Sequence, residues 1–259
     1  MLLLLFAPPA EAELVGEFNA RLKNVKRSYG AYTVVADARV YDTTGAPPPP
    51  LAGATVHFPR GAALRRQFLT PRFLCDAAPL EVRPDPGLCR RGHFAAGRIV
   101  LDARPHILEP FSADVHLFLG PGRDGAVASV VTLVIPNELT PAYAFQVLEG
   151  RLYNSPSAGR RFGYRLELPT RVKPLIPGLT LHLAEVHLRI EGLELRRRGR
   201  RPLFWTKVPK CPRTRRVSFG ADYAFEGAEP ISRRRRVSCR RFVRKPTVQR
   251  EGRIPGAPG

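Results

Sequence analysis

The sequence lacks the features that would indicate a membrane protein, a metalloprotein or a helical bundle. No run of about 18 consecutive apolar residues occurs, so we expect no transmembrane span. The four cysteines include no Cys-x-x-Cys pair, which removes the spacing typical of a metal site. Apolar residues rarely recur with helical spacing. We therefore predict no metal, no cofactor and little helix.

The motifs of a hydrolase are also not recognisable. There is no Gly-x-Ser-x-Gly motif, and the cysteines are better explained as disulfides. One face of a predicted strand carries a polar row made of Glu185, His187, Arg189 and Glu191. Such a row suits a carbohydrate-cleaving or metal site, and it equally suits the solvent face of an amphipathic strand. Paired carboxylates for glycoside cleavage cannot be assigned from sequence, because their separation depends on the fold.

Acidic residues are scarce in the C-terminal part of the chain. The net charge is +20, and residues 196–259 hold 20 lysines and arginines against 4 acidic residues. A GC-rich genome explains why arginine outnumbers lysine, but it does not explain the missing acids. A cationic surface that faces an anionic partner does. The predicted anion-binding residues are Arg196, Arg197, Arg198, Arg200, Arg201, Arg215, Arg216, Arg233, Arg234, Arg235 and Arg236.

The cysteines form an even set, which indicates disulfides and an oxidising compartment. They are Cys75, Cys89, Cys211 and Cys239. Three pairings are possible, and closeness along the chain favours Cys75 with Cys89 and Cys211 with Cys239. Each bond would then contribute about 3 kcal/mol to stability in the chain-entropy model.

The first twelve residues have the character of an export signal. An apolar run from Leu2 to Phe6 precedes an A-x-A-like cleavage site at Ala10-Glu11-Ala12, although no positively charged segment comes first. We interpret residues 1–12 as a signal peptide whose true start lies upstream. The alternative is a short apolar N-terminus of a cytosolic protein. Together with the disulfides, the signal predicts an extracellular or cell-envelope location.

Turn residues and alternating apolar positions are abundant. The 27 prolines and 22 glycines suit many strands joined by tight turns. About ten strands at spacings of roughly 8–15 residues predict an all-β fold, either an antiparallel β-sandwich or an open barrel. Residues 62–95 are predicted to be loop-rich, with one short helix near 70–78. Residues 13–26 are expected to be a linker, 27–243 a single domain and 244–259 a disordered basic tail.

The segment from Cys211 to Cys239 has the clearest strand pattern. Its apolar side chains occupy every second position from Val217 to Phe225, which is the period of a half-buried strand. A turn through residues 226–230 follows, and four arginines lead to the second cysteine. We predict a hairpin with a cysteine at each end and with its aromatic side chains pointing inward.

Several short motifs together give a resemblance to known sequences. In order, they are Phe58-Pro59-Arg60-Gly61, a Cys…Cys loop, a strand bounded by Gly97, Phe162-Gly163-Tyr164, and Cys211-Pro212 followed by alternating apolar residues to Cys239. Over most of residues 50–242 the chain resembles a group of uncharacterised secreted β-rich proteins of high-GC Gram-positive soil bacteria. It departs from them at Arg90, where they usually have proline, and at Ala95, where they tend to have glycine. The resemblance implies export and a β-rich domain, and it implies no activity.

These observations predict a secreted or envelope-associated, non-catalytic β-sandwich protein. Its arginine-rich C-terminal third is expected to bind anionic wall polymers, polysaccharides or lipid surfaces. One alternative is a secreted polysaccharide hydrolase that uses Glu185 and Glu191. Another is a cytosolic nucleic-acid-binding protein, which is less favoured because the aromatic side chains are expected inside the fold. The arginines could also be solvated residues that discourage edge-to-edge pairing of sheets.

Overall fold

Antiparallel strands make up almost all of the regular structure of this protein. The computed structural model describes residues 13–26, 31–60, 66–137, 145–154, 162–169, 180–191, 193–197, 200–204, 211 and 213–239. The strands are β1 (Leu14–Lys26), β2 (Ala31–Asp42), β3 (Leu51–Pro59), β4 (His93–Ala103), β5 (Ile107–Gly120), β6 (Ala128–Pro136), β7 (Gln146–Asn154), β8 (Phe162–Pro169), β9 (His182–Ile190), β10 (Glu194–Arg197), β11 (Arg200–Phe204), β12 (Arg216–Phe225) and β13 (Ala228–Ser238). The other elements are a helix, α1 (Ala78–Val82), and 3-10 turns at Arg66–Phe68 and Pro86–Cys89. None of the described helices is both long and apolar enough to cross a membrane.

Eleven of the strands form one antiparallel sheet that nearly closes on itself. The order across the sheet is β1-β2-β9-β4-β5-β6-β7-β8-β3-β12-β13. The two edge strands, β1 and β13, lie against each other, but they form no hydrogen-bonded ladder in the described residues. We call this junction the seam. The predicted antiparallel all-β class is confirmed, and the single curved sheet corresponds to the open-barrel architecture.

Alternation along each strand places apolar side chains inside the sheet and polar side chains outside it. On β12, Val217, Phe219 and Tyr223 are at most 6% exposed. Register extends this inner face to the neighbouring strands, since Ala221 lies opposite Val56 of β3. The inward direction predicted for the aromatic side chains of this hairpin is therefore confirmed for Phe219 and Tyr223.

The interior of the sheet has an aromatic end and an aliphatic end. At the aromatic end Phe68, Phe94 and Phe219 are at most 4% exposed, and they belong to one core cluster with Cys211 and Cys239. At the other end, where β3 and β9 begin and β8 ends, the inward side chains are mainly leucine and valine. The aliphatic end is less completely filled and contains a cavity.

The disulfide-bearing segment of residues 66–92 covers part of the outer face of the sheet. Leu80 of α1 packs with Phe118, Val131 and Leu133, which point outward from β5 and β6. Seven consecutive residues of β6 are therefore buried. A strand buried on both faces is expected to read as a nearly continuous apolar run, and β6 does so apart from Ser129 and Thr132.

The predicted position of the helix in this segment is corrected. The helix lies at Ala78–Val82 instead of near residues 70–78, and Pro79 occupies its first turn. Proline is tolerated in the first turn of a helix but breaks its interior, so the helix begins at this proline and cannot run through it. Within the predicted range, residues 71–73 form a turn instead.

Residues 13–26 are not a linker, as the sequence was interpreted, but the strand β1. This strand pairs with β2 along its length, and Phe18, Ala20 and Leu22 face the core. These apolar residues alternate with polar and charged ones, and that alternation is the signal which the linker interpretation overlooked. Residues 1–12 and 240–259, assigned in part to a signal peptide and a tail, lie outside the described residues.

The chain leaves the main sheet after Ile190. In the described residues β10 and β11 pair only with each other. The departure leaves β12 and β13 to form the far edge of the main sheet.

The two disulfides have the pairing that closeness along the chain favours. Cys75 is bonded to Cys89, and Cys211 is bonded to Cys239, with Cα–Cα distances of 5.3 and 5.7 Å. The second disulfide is buried in the core and joins the open end of the β12–β13 hairpin. It therefore connects the interior packing with the strand that carries the arginines.

Candidate functional site

The predicted anion-binding arginines that the structure describes with their side chains lie on the β12–β13 hairpin. Arg233, Arg234, Arg235 and Arg236 follow one another on β13 and are all exposed. Because side chains alternate along a strand, Arg234 and Arg236 share the outer face, whereas Arg233 and Arg235 lie opposite inward residues of β12. The side chains of the other predicted residues, Arg196, Arg197, Arg198, Arg200 and Arg201, lie outside the described residues.

Arg234 is held by a polar network on the outer face. Its Nη1 donates to Asp222 Oδ1 at 2.6 Å, and Ser232 Oγ donates to the same oxygen at 2.7 Å. His57 Nε2 lies 2.5 Å from the second oxygen, Oδ2. Burial raises the pKa of Asp222, but the bonds from Arg234, His57 and Ser232 outweigh burial, so its pKa lies below the ordinary value. Arg234 is therefore partly neutralised by its own strand pair.

Glycine at position 220 lets Arg234 lie flat across β12. A Cβ at Gly220 would come within 2.7 Å of Arg234 Cδ and 3.0 Å of its Nη1. The side chain of Arg234 crosses this position on its way to Asp222. A larger residue at position 220 would displace the arginine and open the network.

Arg233 and Arg235 lie at the seam. Arg233 Nε donates to the carbonyl oxygen of Gly16 on β1 at 2.6 Å, and Tyr223 Oη lies 3.5 Å from the carbonyl oxygen of Glu17. Arg235 lines a cleft together with Glu17. Because no ladder joins β1 to β13 in the described residues, these contacts help to close the sheet. We therefore assign Arg233 a structural role, which the charge pattern of the sequence did not indicate.

Three of the predicted arginines lie together at the disulfide end of the hairpin. Arg215, Arg216 and Arg236 are exposed and form no ion pair with any residue that the structure describes. Arg216 lies opposite Ser238 and Arg236 lies opposite Ser218, so Arg216 and Arg236 are diagonal neighbours on the outer face. We call Arg215, Arg216 and Arg236 the cationic corner.

Acidic residues lie at the other end of the same hairpin. Glu226 and Glu229 are exposed at or beside the tight turn, which has Gly227 with φ 71°. The aromatic residues between the two ends, Phe219 and Tyr223, are buried, and burial raises the pKa of Tyr223 to about 12. The hairpin surface therefore offers charge, and these two rings offer no platform on which bases could stack.

The polar row predicted on β9 borders an outward cleft of about 410 Å³ beside the seam. His187 lies within it, with Nδ1 3.1 Å from Asp37 Oδ1 and Nε2 3.4 Å from Glu185 Oε2. Asp37 also pairs with Arg21 at 2.9 Å, and Glu185 pairs with Arg39 at 3.4 Å. These contacts describe a network of exposed ion pairs, in which each carboxylate has a cationic partner.

The strand geometry does not bring Glu185 and Glu191 together. They are six residues apart along an extended chain, which corresponds to about 20 Å. The two carboxylates of a glycosidase are about 5–9.5 Å apart. Glu191 instead pairs with Arg189 at 2.7 Å, and its side chain is 61% exposed. Among the described residues, no group of three or more His, Cys, Asp or Glu side chains is placed to hold a metal ion.

The aliphatic end of the interior contains a cavity of about 140 Å³. Twelve of the residues that line it are leucine, isoleucine or valine, and the other two are Thr132 and Gln146. The lining comes from β3 to β9, so the cavity lies on the inner side of the curved sheet. Sequence reasoning did not find it, because inward positions alternate identically whether the space between them is filled or empty.

Thr132 is the unusual member of the lining. It is 8% exposed, and its Oγ1 has no hydrogen-bond partner among the described residues. A buried hydroxyl without a partner costs about 1–3 kcal/mol. Its inward neighbours on β6, Val130 and Val134, are of nearly the same size and carry no such cost. The hydroxyl therefore adds polarity to a wall that, apart from Gln146, is aliphatic.

Two half-buried histidines meet beneath the disulfide-bearing segment. His93 Nε2 lies 3.3 Å from His116 Nδ1, and both rings lie close to Phe118. Burial lowers the pKa of His116, and burial together with the charge of His116 lowers that of His93. Nearby Glu191 and Asp114 act in the opposite direction. The pair is therefore more readily neutral than free histidine.

No family model, curated protein or solved structure matches this chain.

Proposed function

We propose that the protein is a secreted or envelope-associated, non-catalytic binding protein that holds anionic polymers or surfaces. The cationic corner of Arg215, Arg216 and Arg236 is the contact surface, extended by Arg234. The observation that carries the proposal is that these three exposed arginines gather at one end of the hairpin without an ion pair to any described residue. Arginines that only kept turns soluble would not be expected to be grouped at one end of the hairpin.

The chemistry of arginine favours phosphate and carboxylate groups as the ligand. A guanidinium is always charged and presents a planar set of donors that matches two oxygens at once. Neighbouring arginines on one face can contact successive anionic groups of a polymer. Contacts of this kind are screened by salt, with a Debye length of about 8 Å at physiological ionic strength.

An exported location supports this ligand class. The two disulfides are typical of proteins that fold in an oxidising compartment. The export-like first twelve residues and the resemblance to secreted β-rich proteins agree with that location. Anionic wall polymers and lipid headgroups are the polyanions that an exported protein meets at an envelope.

A binding assay over a salt gradient tests the proposal. The full chain is incubated at about 50 mM salt with a phosphate polymer, with vesicles containing an anionic lipid, and with neutral vesicles as the control. We expect retention by at least one anionic ligand, none by neutral vesicles, and release before about 1 M salt, where screening is nearly complete. Failure to bind any anionic ligand at low salt, or binding that survives 1 M salt, would overturn the proposal.

Nucleic acid is a separate outcome of the same assay. Counterion release would give a similar salt dependence with DNA or RNA. The buried Phe219 and Tyr223 do not offer a stacking surface, so we expect no preference for a single-stranded nucleic acid over a phosphate polymer of equal charge. A strong preference for the nucleic acid would favour the cytosolic alternative instead.

A further inference from the structure

The interior cavity is separate from the cationic corner and has the opposite chemistry. Its walls are formed by inward side chains such as Leu117 of β5, Leu148 of β7 and Leu188 of β9. No charged side chain lines it among the described residues. A ligand for this space must therefore be mainly apolar, and its affinity would depend on shape and burial instead of salt.

The volume limits the size of the ligand. The cavity measures about 140 Å³, and an apolar protein cavity of about 150 Å³ is known to stay dry and to admit benzene or xenon. A molecule the size of one aromatic ring, or a short aliphatic chain, fits this space.

Thr132 favours a ligand that can form a hydrogen bond with its hydroxyl group. Its hydroxyl is buried and has no hydrogen-bond partner among the described residues, and the residue is part of the cavity wall. Rotation between the staggered positions of its side chain can turn the hydroxyl toward the cavity. A ligand with one hydroxyl group could then give this residue the partner that the described residues do not supply.

Thr132 also lies within the wall and not at its border. It is paired with Leu117 on one side and Leu148 on the other, and all three line the cavity. The leucines on both sides would pack against the apolar part of a ligand, while the Thr132 hydroxyl contacts its polar group. This combination of an apolar pocket and a few polar groups is typical of small-molecule sites.

We propose that the aliphatic end of the sheet binds a small, mainly apolar molecule of about one aromatic ring that carries a single hydroxyl group. Phenol represents this class. The apolar walls supply most of the affinity, and Thr132 selects the hydroxyl-bearing molecule over its hydrocarbon counterpart. This site is independent of polyanion binding at the cationic corner.

Titrations with benzene and phenol test the proposal in the full chain. Dissociation constants are measured from chemical-shift changes of backbone amides in β5, β6 and β7. Saturable binding of both is expected, with phenol bound about fivefold more tightly, the size of effect that one hydrogen bond gives. Thr132→Val should abolish this preference and leave benzene binding intact.

The chain contains a matched control for the threonine. Thr33 of β2 is 1% exposed, and its Oγ1 also has no hydrogen-bond partner among the described residues, but it does not line the cavity. Thr33→Val removes a buried hydroxyl of the same kind from a strand that does not line the cavity. The phenol preference should therefore survive Thr33→Val, even where the two variants gain equal stability.

A larger side chain in the wall tests the location. Val134→Phe should fill the cavity and abolish binding of both molecules. If that variant does not fold, Val115→Phe places the same ring directly opposite, because Val115 and Val134 are paired. No saturable binding to the unmodified chain, binding that persists in the filled variant, or a phenol preference that survives Thr132→Val would each overturn the proposal.

Discussion

The cationic corner and the interior cavity belong to one curved sheet, but they depend on different kinds of interaction. The corner consists of exposed arginines whose energy comes from charge and falls with ionic strength. The cavity consists of buried aliphatic side chains whose energy comes from shape and from apolar area removed from water. A change that affects one region can therefore leave the other intact.

The β12–β13 hairpin shows why the two regions can coexist. Its inward residues, such as Phe219, build the core, while its outward residues, such as Arg236, build the charged surface. The period of two along a strand assigns each function to its own face. Evolution could thus change the outer charge of this hairpin without repacking the core beneath it.

Removal of the Cys211–Cys239 disulfide should have the largest effect, because this bond fixes the end of the hairpin that carries the cationic corner. We expect Cys211→Ala/Cys239→Ala to lower the free energy of unfolding by about 2–5 kcal/mol, as measured by denaturant unfolding. Polyanion binding should also weaken, because the open end of the hairpin that carries Arg215 and Arg216 is no longer fixed.

The other disulfide is the control for this prediction. Cys75→Ala/Cys89→Ala should lower the unfolding free energy slightly less, because its loop spans 14 residues instead of 28. The hairpin is untouched, so polyanion affinity of the folded protein should not change. Equal losses of affinity in the two double variants would contradict the role assigned to the hairpin.

Charge reversal at the cationic corner should separate the two regions. At low salt, Arg216→Glu/Arg236→Glu should weaken binding of a phosphate polymer by about 30-fold or more, since each cation near an anionic surface contributes about 1 kcal/mol. The affinity for phenol should be unchanged. Equilibrium binding at 50 mM salt measures both.

Arg90→Glu/Arg91→Glu controls for net charge. These two arginines are exposed on the segment of residues 66–92, which is not part of the hairpin, and their reversal changes the net charge by the same amount. The control should lose much less affinity. If both pairs reduce binding equally, the net charge of +20 governs binding and the corner has no special role.

The arginines at the seam should respond differently from those at the corner. Arg233→Met removes the donor to Gly16 but keeps an apolar stem, so we expect a loss of about 1–2 kcal/mol in unfolding free energy. Polyanion affinity should change little. Arg236→Met should do the reverse, weakening binding with little effect on stability. Both variants losing stability equally would contradict the distinction.

The smallest effect concerns pH. Because the pKa values of His93 and His116 are lowered in the folded protein, the unfolded chain binds protons first as pH falls. Stability should therefore decrease below about pH 6.5, the ordinary pKa of histidine. The decrease is small because the two rings are only half-buried. Denaturant midpoints between pH 7.5 and 5 measure it.

A phenylalanine in place of one histidine tests this assignment. His116→Phe keeps a ring beside Phe118 but removes the titrating group, so the decrease below pH 6.5 should become shallower. His106→Phe, at an exposed histidine outside the pair, should leave the pH profile unchanged. An unchanged profile in His116→Phe would show that other groups cause the decrease.

Much of the fold was predictable from local pattern. Alternation identified the β12–β13 hairpin, and closeness along the chain favoured the observed disulfides. The helix was misplaced because Pro79 was not recognised as its starting point. The strand β1 was missed because its apolar positions include small residues such as Gly16 and Ala20.

The sites were less predictable, because they depend on which strands meet. The sequence pattern does not distinguish Arg233 from Arg236. In the structure Arg233 donates to β1 at the seam, whereas Arg236 is exposed on the outer face. Thr132 reads as an ordinary residue of a β-strand. Only the packing of seven strands shows that its hydroxyl lies in a cavity wall without a hydrogen-bond partner among the described residues. Contacts between distant segments cannot be read from alternation.

The salt dependence of phosphate-polymer binding tests the central claim most directly. The slope of the logarithm of affinity against the logarithm of salt concentration counts the cations that contact the polymer, at about 0.7–0.9 for each. We predict that Arg216→Gln/Arg236→Gln reduces the magnitude of this slope by about 1.5, while Arg90→Gln/Arg91→Gln leaves it unchanged. The same slope in all three proteins would contradict the claim that the cationic corner is the contact surface.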